Sequence, residues 1–287
     1  MKRKLKIYYS SSFILLLIIL GLWNPFHIGI DPKDYYKEGD TILVAAHRGS
    51  HASHPENSIS AIKESIKNEI DIVEIDIRQT KDHELVLLHD HSLDRTTTGT
   101  EPLSDYTLKK LQQFNLKFKN KITIEKIPTL EEVLEIAKDK CILNLDFKTN
   151  DFQAFKRAAD LISKNHMEES VIISVNDLNL LPKLHAYNRE IRLMPIAFKR
   201  RQIKKILEYD FIDIIQVYHR AYNKQLLKRI EEKEMMIWVN SLKKYDKIQA
   251  KGKPGFYRLL KIKKVDVIQT DYPEELLSML REIDLHP

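Results

Sequence analysis

From residue 42 to residue 269 the chain alternates short apolar runs with stretches of helical period, and such a sequence folds into parallel strands joined by helical crossovers. The runs cover residues 42–46, 72–77, 85–89, 142–147, 171–174, 192–196, 212–216, 235–239 and 265–269. Helical spacing recurs between them, first at Ile59, Ile62 and Ile66 behind the start signal Asn57/Ser58. It recurs at Leu130, Val133, Leu134 and Ala137 behind Thr129, where Glu132 completes a capping box. Further helices are marked by Phe152, Phe155, Ala159 and Ile162, by Leu181 and Leu184, by Ile203, Ile206 and Leu207, and by Leu226, Leu227 and Ile230. Nine strands are one more than a closed eight-stranded barrel uses. The run at 85–89 follows the one at 72–77 after only seven residues, too few for a crossover, so it is expected to return as an antiparallel hairpin at the barrel mouth. The fold expected is α/β, a (β/α)8 TIM barrel over residues 41–287, with a doubly wound open sheet as the other architecture the pattern allows.

The 287 residues, 43% of them hydrophobic, suffice for one such domain with a short appendage. The appendage is N-terminal: Lys2, Arg3, Lys4 and Lys6 precede an apolar run over residues 7–23, at the short edge of a membrane-spanning helix. The first alanine is Ala45 and no small-x-small cleavage site follows Trp23, so an uncleaved transmembrane anchor is expected rather than a removed signal peptide. Basic residues ahead of the run place the N-terminus in the cytoplasm and the following domain outside the cell membrane. Residues 24–40, polar and punctuated by Pro25, Pro32 and Gly39, read as a linker. The expected organisation is therefore anchor 1–23, linker 24–40 and barrel 41–287.

Net charge is +6, but without the four N-terminal cations 43 basic residues face 41 acidic ones, an ordinary balance that indicates no nucleic-acid partner. Two basic clusters, at 199–205 and 243–264, would suit anionic lipid or a polyanionic wall polymer, and solvated loop charge is the simpler reading. The single Cys141 rules out an intramolecular disulfide and, opening an apolar strand, reads as a small buried hydrophobe. Seven glycines in all, with no G-x-G-x-x-G and no Walker loop, argue against a dinucleotide enzyme or an NTPase. A phosphate would have to be held by side chains and a metal.

Alternate residues of a strand share a face, so Glu74 and Asp76 point one way while Val73, Ile75 and Ile77 point the other. Asn144, Asp146 and Lys148 repeat the pattern against Leu143, Leu145 and Phe147. Buried carboxylates need a cation or a basic partner. A structural ion pair is the plain reading of the first two; with Asp146, three oxygen donors and no cysteine suit Mg2+ or Ca2+ better than zinc. His47 ends the first strand and His89 the hairpin return, and imidazole is the side chain best suited to proton transfer near neutrality. Arg48 offers a planar fork for two phosphate oxygens, or for Glu56.

The ordered motifs A-A-H-R-G (45–49), P-E-N-S (55–58), V-E-I-D (73–76) running on to L-L-H-D (87–90), L-N-L-D-F-K (143–148), W-V-N (238–240) and Q-T-D-Y-P (269–273) resemble the glycerophosphodiester phosphodiesterase family over nearly the whole chain after about residue 40. The resemblance implies Glu74, Asp76 and Asp146 as ligands of a divalent cation, Asp146 standing where the family commonly has glutamate. It implies His47 and His89 as general acid and base, in an order the motifs do not fix. It also implies Arg48 and Lys148 on phosphate, Trp238 lining the substrate pocket, where the residue pattern alone equally allows a core tryptophan, and Glu56 beside the metal or its ligands. The implied reaction is hydrolysis of a glycerophosphodiester to glycerol 3-phosphate and an alcohol, through a cyclic phosphate formed by the glycerol's neighbouring hydroxyl. A phospholipase of C or D type acting on lipid or lysolipid diesters, and a non-catalytic wall-polymer-binding protein, are the rival readings; oligomeric state is not legible.

Overall fold

The apolar runs become strands and the periodic segments helices. A computed structural model describes residues 36, 39–261 and 263–287. The first half contains β1 (Leu43–His47), α1 (Ile59–Lys67), β2 (Ile72–Gln79), β3 (Leu85–Leu87), α2 (Leu108–Leu111), β4 (Lys117–Phe118), β5 (Lys121–Ile122), α3 (Leu130–Ala137), β6 (Ile142–Phe147) and α4 (Phe152–Lys164). The second contains β7 (Val171–Val175), α5 (Leu181–Tyr187), β8 (Arg192–Ala197), α6 (Arg200–Ile206), β9 (Ile214–Val217), α7 (Lys224–Glu231), β10 (Met236–Asn240), α8 (Tyr245–Gln249), α9 (Gly255–Leu260), β11 (Val267–Thr270) and α10 (Pro273–Glu282).

Among the described residues the strand order β1-β11-β10-β9-β8-β7-β6-β2 returns to β1, giving a closed barrel of eight parallel strands. The open-sheet alternative is excluded by the β1–β2 pairing, in which His47 stands opposite Glu74. As the short connection requires, β3 runs antiparallel to β2, with Ile77 opposite Leu87. Local signals act as expected at two helix starts: Ser58 caps α1 by accepting from the Ala61 N–H, and Thr129 and Glu132 form the reciprocal capping box of α3.

Strand alternation sorts the core into two regions. Outward residues such as Val73, Ile75, Ile77, Leu143, Leu145 and Phe147 pack beneath the helices, where Phe147 stacks on Phe155 of α4 with ring centres 4.2 Å apart. Inward residues Ala45, Ile72, Ile172, Met194, Ile214, Trp238 and Val267 fill the barrel's lower interior. Two residues further along, seven of the eight strands turn polar, at His47, Glu74, Asn144, Ser174, Gln216, Asn240 and Gln269, and the eighth presents Ile196. The apolar layer is a floor, and the C-terminal strand ends are a polar chamber above it.

The expected anchor (7–23) and the linker up to residue 35 lie outside the described residues; among the described residues no helix is long and apolar enough to cross a membrane. Tyr36, within the stretch expected as linker, is docked on the barrel instead. It is buried in the main core, donates to the Lys263 carbonyl at 3.2 Å and accepts from the Val265 N–H at 3.2 Å. An aromatic ring with a polar tip supplies both apolar contact and hydrogen bonds, which polar composition alone does not reveal.

Candidate active site

The turn after β1 is shaped by its glycine. Gly49 has φ +76°, and a Cβ there would lie 2.9 Å from the Ala61 backbone, so the H-R-G segment can press against α1 only without a side chain. Arg48 also adopts a left-handed φ of 56°, which costs an ordinary residue roughly 1–2 kcal/mol. That conformation aims its N–H at Glu74 Oε2 (2.9 Å) and its guanidinium at Glu56 (2.7 Å) and Asp76 (3.1 Å).

Glu74, Asp76 and Asp146 converge as strand alternation and the Asp76–Asp146 register require, each offering an oxygen within 4.8 Å of the others. Asn57, from P-E-N-S, clamps Asp76 from both sides, donating to its carboxylate at 2.7 Å and accepting its N–H at 3.0 Å. Burial, then the neighbouring Asp76 and Asp146 carboxylates, push the Glu74 carboxyl well above the usual range. Burial opposes charge on Asp76 too, yet Lys148 and Arg48 hold it below the usual range. Lys148 does not project freely toward a phosphate: its ammonium sits 2.6 Å from Asp146 and 2.7 Å from Asp76. Asp146 Oδ1 is buried without a hydrogen-bond partner. Crowded oxygens, an orphaned acceptor and a carboxyl driven toward neutrality fit a hard divalent cation.

Each expected catalytic histidine has a carboxylate on Nδ1. His47 is 2.7 Å from Asp271 and His89 is 2.7 Å from Asp90. Burial disfavours charge on Asp271, but His47, His51 and Arg48 keep its carboxyl below the ordinary range. An ionised carboxylate only accepts, so Nδ1 of His47 carries the proton and Nε2 is free to exchange one. Asp271 is held in turn by Asp246, which accepts from the Asp271 N–H at 2.9 Å and from the Thr270 hydroxyl at 2.9 Å. On the other side Arg95 bridges Asp90 and Glu56, and Arg78 donates twice to the His89 carbonyl. Thus Glu56 ties Arg48 to Arg95, joining the two histidine-bearing segments without joining the carboxylate cluster.

His47, Arg48, Glu74, His89, Asp146 and Lys148 all line one cavity of about 340 Å³, whose far wall is Ile196, Phe198, Tyr218, Leu242 and Lys243. Trp238, expected to line the pocket, does not. It is 0% exposed in the apolar floor, and its indole N–H donates upward to Asn240 (3.2 Å) and Gln269 (3.1 Å). Alternation puts Trp238 and Asn240 on one face, but Asn240 reaches the cavity and Trp238 lies a layer below it. Asn57, Asp90, Arg95 and Asp271 were not singled out from the sequence, although three of them sit inside the quoted motifs. A carboxylate next to His89 was a usable signal for Asp90; the aromatic pair Phe198 and Tyr218, ring centres 5.0 Å apart, carried none.

The glycerophosphoryl diester phosphodiesterase family model matches residues 47–275. A glycerophosphodiester phosphodiesterase of Caldanaerobacter subterraneus subsp. tengcongensis is 38% identical over 138 residues, 46% of this chain and 57% of that relative's length. The crystal structure of a glycerophosphoryl diester phosphodiesterase from Parabacteroides distasonis superposes with a TM-score of 0.73 at 26% identity, covering 88% of this chain and 93% of that one. An Oleispira antarctica phosphodiesterase, solved with the product sn-glycerol-3-phosphate, shares the fold at a TM-score of 0.70 and 21% identity, covering 84% and 97% of the respective chains.

Proposed function

Because the chain belongs to the glycerophosphoryl diester phosphodiesterase family, we propose that it hydrolyses glycerophosphodiesters to glycerol 3-phosphate and an alcohol. The observation that carries this reading is the placement of two carboxylate-backed histidines and a three-carboxylate cluster on one cavity. Glu74, Asp76 and Asp146 would hold the divalent cation, Mg2+ or Ca2+, which when bound screens phosphate charge and makes an adjacent hydroxyl more acidic.

The chain's own residues supply the proton transfers. The glycerol hydroxyl next to the phosphoester oxygen gives its proton to Nε2 of one histidine as its oxygen bonds to phosphorus. The bond from phosphorus to the leaving alkoxide breaks, and that oxygen takes a proton from Nε2 of the other histidine. Water then opens the cyclic phosphate with the two roles exchanged. Asp271 and Asp90 keep each ring in the tautomer that presents Nε2, and each stabilises its imidazolium when it forms. Arg48, held on Glu56 and Asp76, and Lys148, paired with Asp76 and Asp146, would turn to phosphate oxygens only once a bound cation takes over those carboxylates.

The run at residues 7–23 behind four basic residues supports an anchor holding this barrel outside the cell membrane. The test of the activity is phosphorus NMR of purified protein with glycerophosphocholine, glycerophosphoethanolamine and glycerophosphoglycerol, with and without chelator. Metal-dependent appearance of glycerol 3-phosphate is expected; a phosphorylated alcohol with free glycerol, or no turnover in metal, would overturn the reading.

A further inference from the structure

At and just beyond the far wall of the cavity lie cations that, among the described residues, no acid answers. Lys243 lines the cavity, and directly after the lining residues Tyr218 and Lys243 the chain presents His219, Arg220 and Lys244, all exposed. Among the described residues Arg220, Lys243 and Lys244 make no ion pair with a carboxylate, whereas Lys264 nearby has Glu231 at 3.7 Å. Behind them Lys263 is only 4% exposed, its ammonium 4.7 Å from the centre of the Tyr222 ring and likewise unmatched by an acid. The cations are close enough to act on one another. Burial, then Lys263, Lys244 and Arg220, hold His219 below the ordinary imidazole range, and burial with Lys244 pulls Lys263 down to about 8. Asp271, which lines the cavity, is engaged by His47, and Asp246, two residues after Lys244, by Ser241, Thr270 and the Asp271 backbone.

Like charges gathered without a counter-charge repel, and a bound anion relieves them. A trimethylammonium or ammonium headgroup leaving the cavity on this side would add to the repulsion. Between rim and carboxylates, Ile196, Phe198, Tyr218 and Leu242 form a mostly apolar wall suited to a short carbon backbone.

Resting on the phosphodiesterase reading above, we propose that Arg220, Lys243 and Lys244, backed by Lys263, form a second anion subsite, so that the diester served best carries a further phosphate on the part projecting past Tyr218. Two sources share that chemistry: a small diester with one terminal phosphate, and a glycerol-phosphate oligomer whose next unit supplies it.

The test uses the full chain with its metal and four substrates: glycerophosphocholine, glycerophosphoglycerol, glycerophosphoglycerol bearing a terminal phosphate, and a glycerol-phosphate oligomer. At low salt kcat/KM is expected to be higher for the phosphate-bearing substrates than for the neutral one, and lowest for the choline ester. In a Lys243→Gln/Lys244→Gln variant the ratio of phosphate-bearing to neutral substrate should fall roughly tenfold, and added salt should erode it in the wild type. Comparable rates on the short ester and the oligomer would support the subsite with a small-molecule source; a faster oligomer would support it with a polymer source. A ratio near unity, or a ratio the variant leaves in place, would overturn it. If no diester is turned over, the activity reading fails by itself. Calorimetry with propane-1,3-diol bisphosphate then decides the subsite: several-fold weaker binding to an Arg220→Gln/Lys244→Gln variant supports it, and equal binding overturns it.

Discussion

His47 Nδ1 lies 2.7 Å from Asp271 Oδ1 across 224 residues of chain, a contact made possible by the pairing of β1 with β11. One end of the barrel seam thus fixes the protonation geometry of the other.

Replacing His47 or His89 by alanine should each lower kcat roughly 10²- to 10⁴-fold on a natural diester, the usual worth of a positioned acid or base. Asp271→Asn, which keeps the ring but not its ionised acceptor, should lower it by a smaller factor. An activated aryl ester separates the roles, because a good leaving group hardly needs a proton: the variant lacking the general acid should recover most of its rate there. Steady-state kinetics on both substrates checks this, and a His89→Ala variant within about threefold of wild type on the natural diester would remove the paired-histidine mechanism.

Adding Mg2+ or Ca2+ to chelated protein should raise its thermal midpoint. Saturation at a hundredfold excess over Kd corresponds to about 2.7 kcal/mol. Glu74→Gln and Asp146→Asn should each shrink the shift. The readout is independent of turnover, and an undiminished shift in both variants would locate the cation elsewhere.

Lys263 gives the pH prediction. Its folded-state value of about 8 lies below the roughly 10.4 of a free lysine, so between those values the unfolded chain binds more protons and stability rises with pH. Below about 8 both states are charged and the burial penalty is at its full size. Lys263→Met should therefore melt higher than wild type at pH 7, with the gap narrowing toward pH 10; thermal melts at the two pH values check it.

Trp238→Ala should cost about 3–5 kcal/mol in urea unfolding, the range for emptying an aromatic site in a core. Trp238→Phe should cost less while still stranding the Gln269 side-chain oxygen, which accepts from the indole; Asn240 keeps its bond from Gln216.

The full chain should sediment with membranes, and a chain beginning at residue 41 should not. Recovery of a soluble mature form starting between residues 24 and 40 would show a cleaved signal instead.

The carboxylate cluster was legible because it depends on two short-range rules, alternation along β2 and β6 and adjacency of their strands; with these, V-E-I-D and L-N-L-D must meet at Asp76 and Asp146. The hairpin that carries His89 to the mouth was legible from a connection too short to cross over. Trp238 was misplaced because alternation fixes which face a residue occupies and not its depth along the barrel axis. The contacts of Asp271 with His47 and of Asn57 with Asp76 are not legible in the sequence because they join segments that only the folded barrel brings together. Tyr36 was hidden in a polar, proline-broken stretch where one aromatic ring outweighs its surroundings.

Because the seam joins the first barrel strand to the last, the ribosome finishes β1 long before β11 exists. At about 5–20 residues per second, the 224 residues separating His47 from Asp271 take roughly 10–45 s to synthesise. Throughout that interval the nascent chain holds His47 without its carboxylate and an unpaired edge on β1, so the proton transfer proposed for His47 can arise only once nearly the whole polypeptide has emerged.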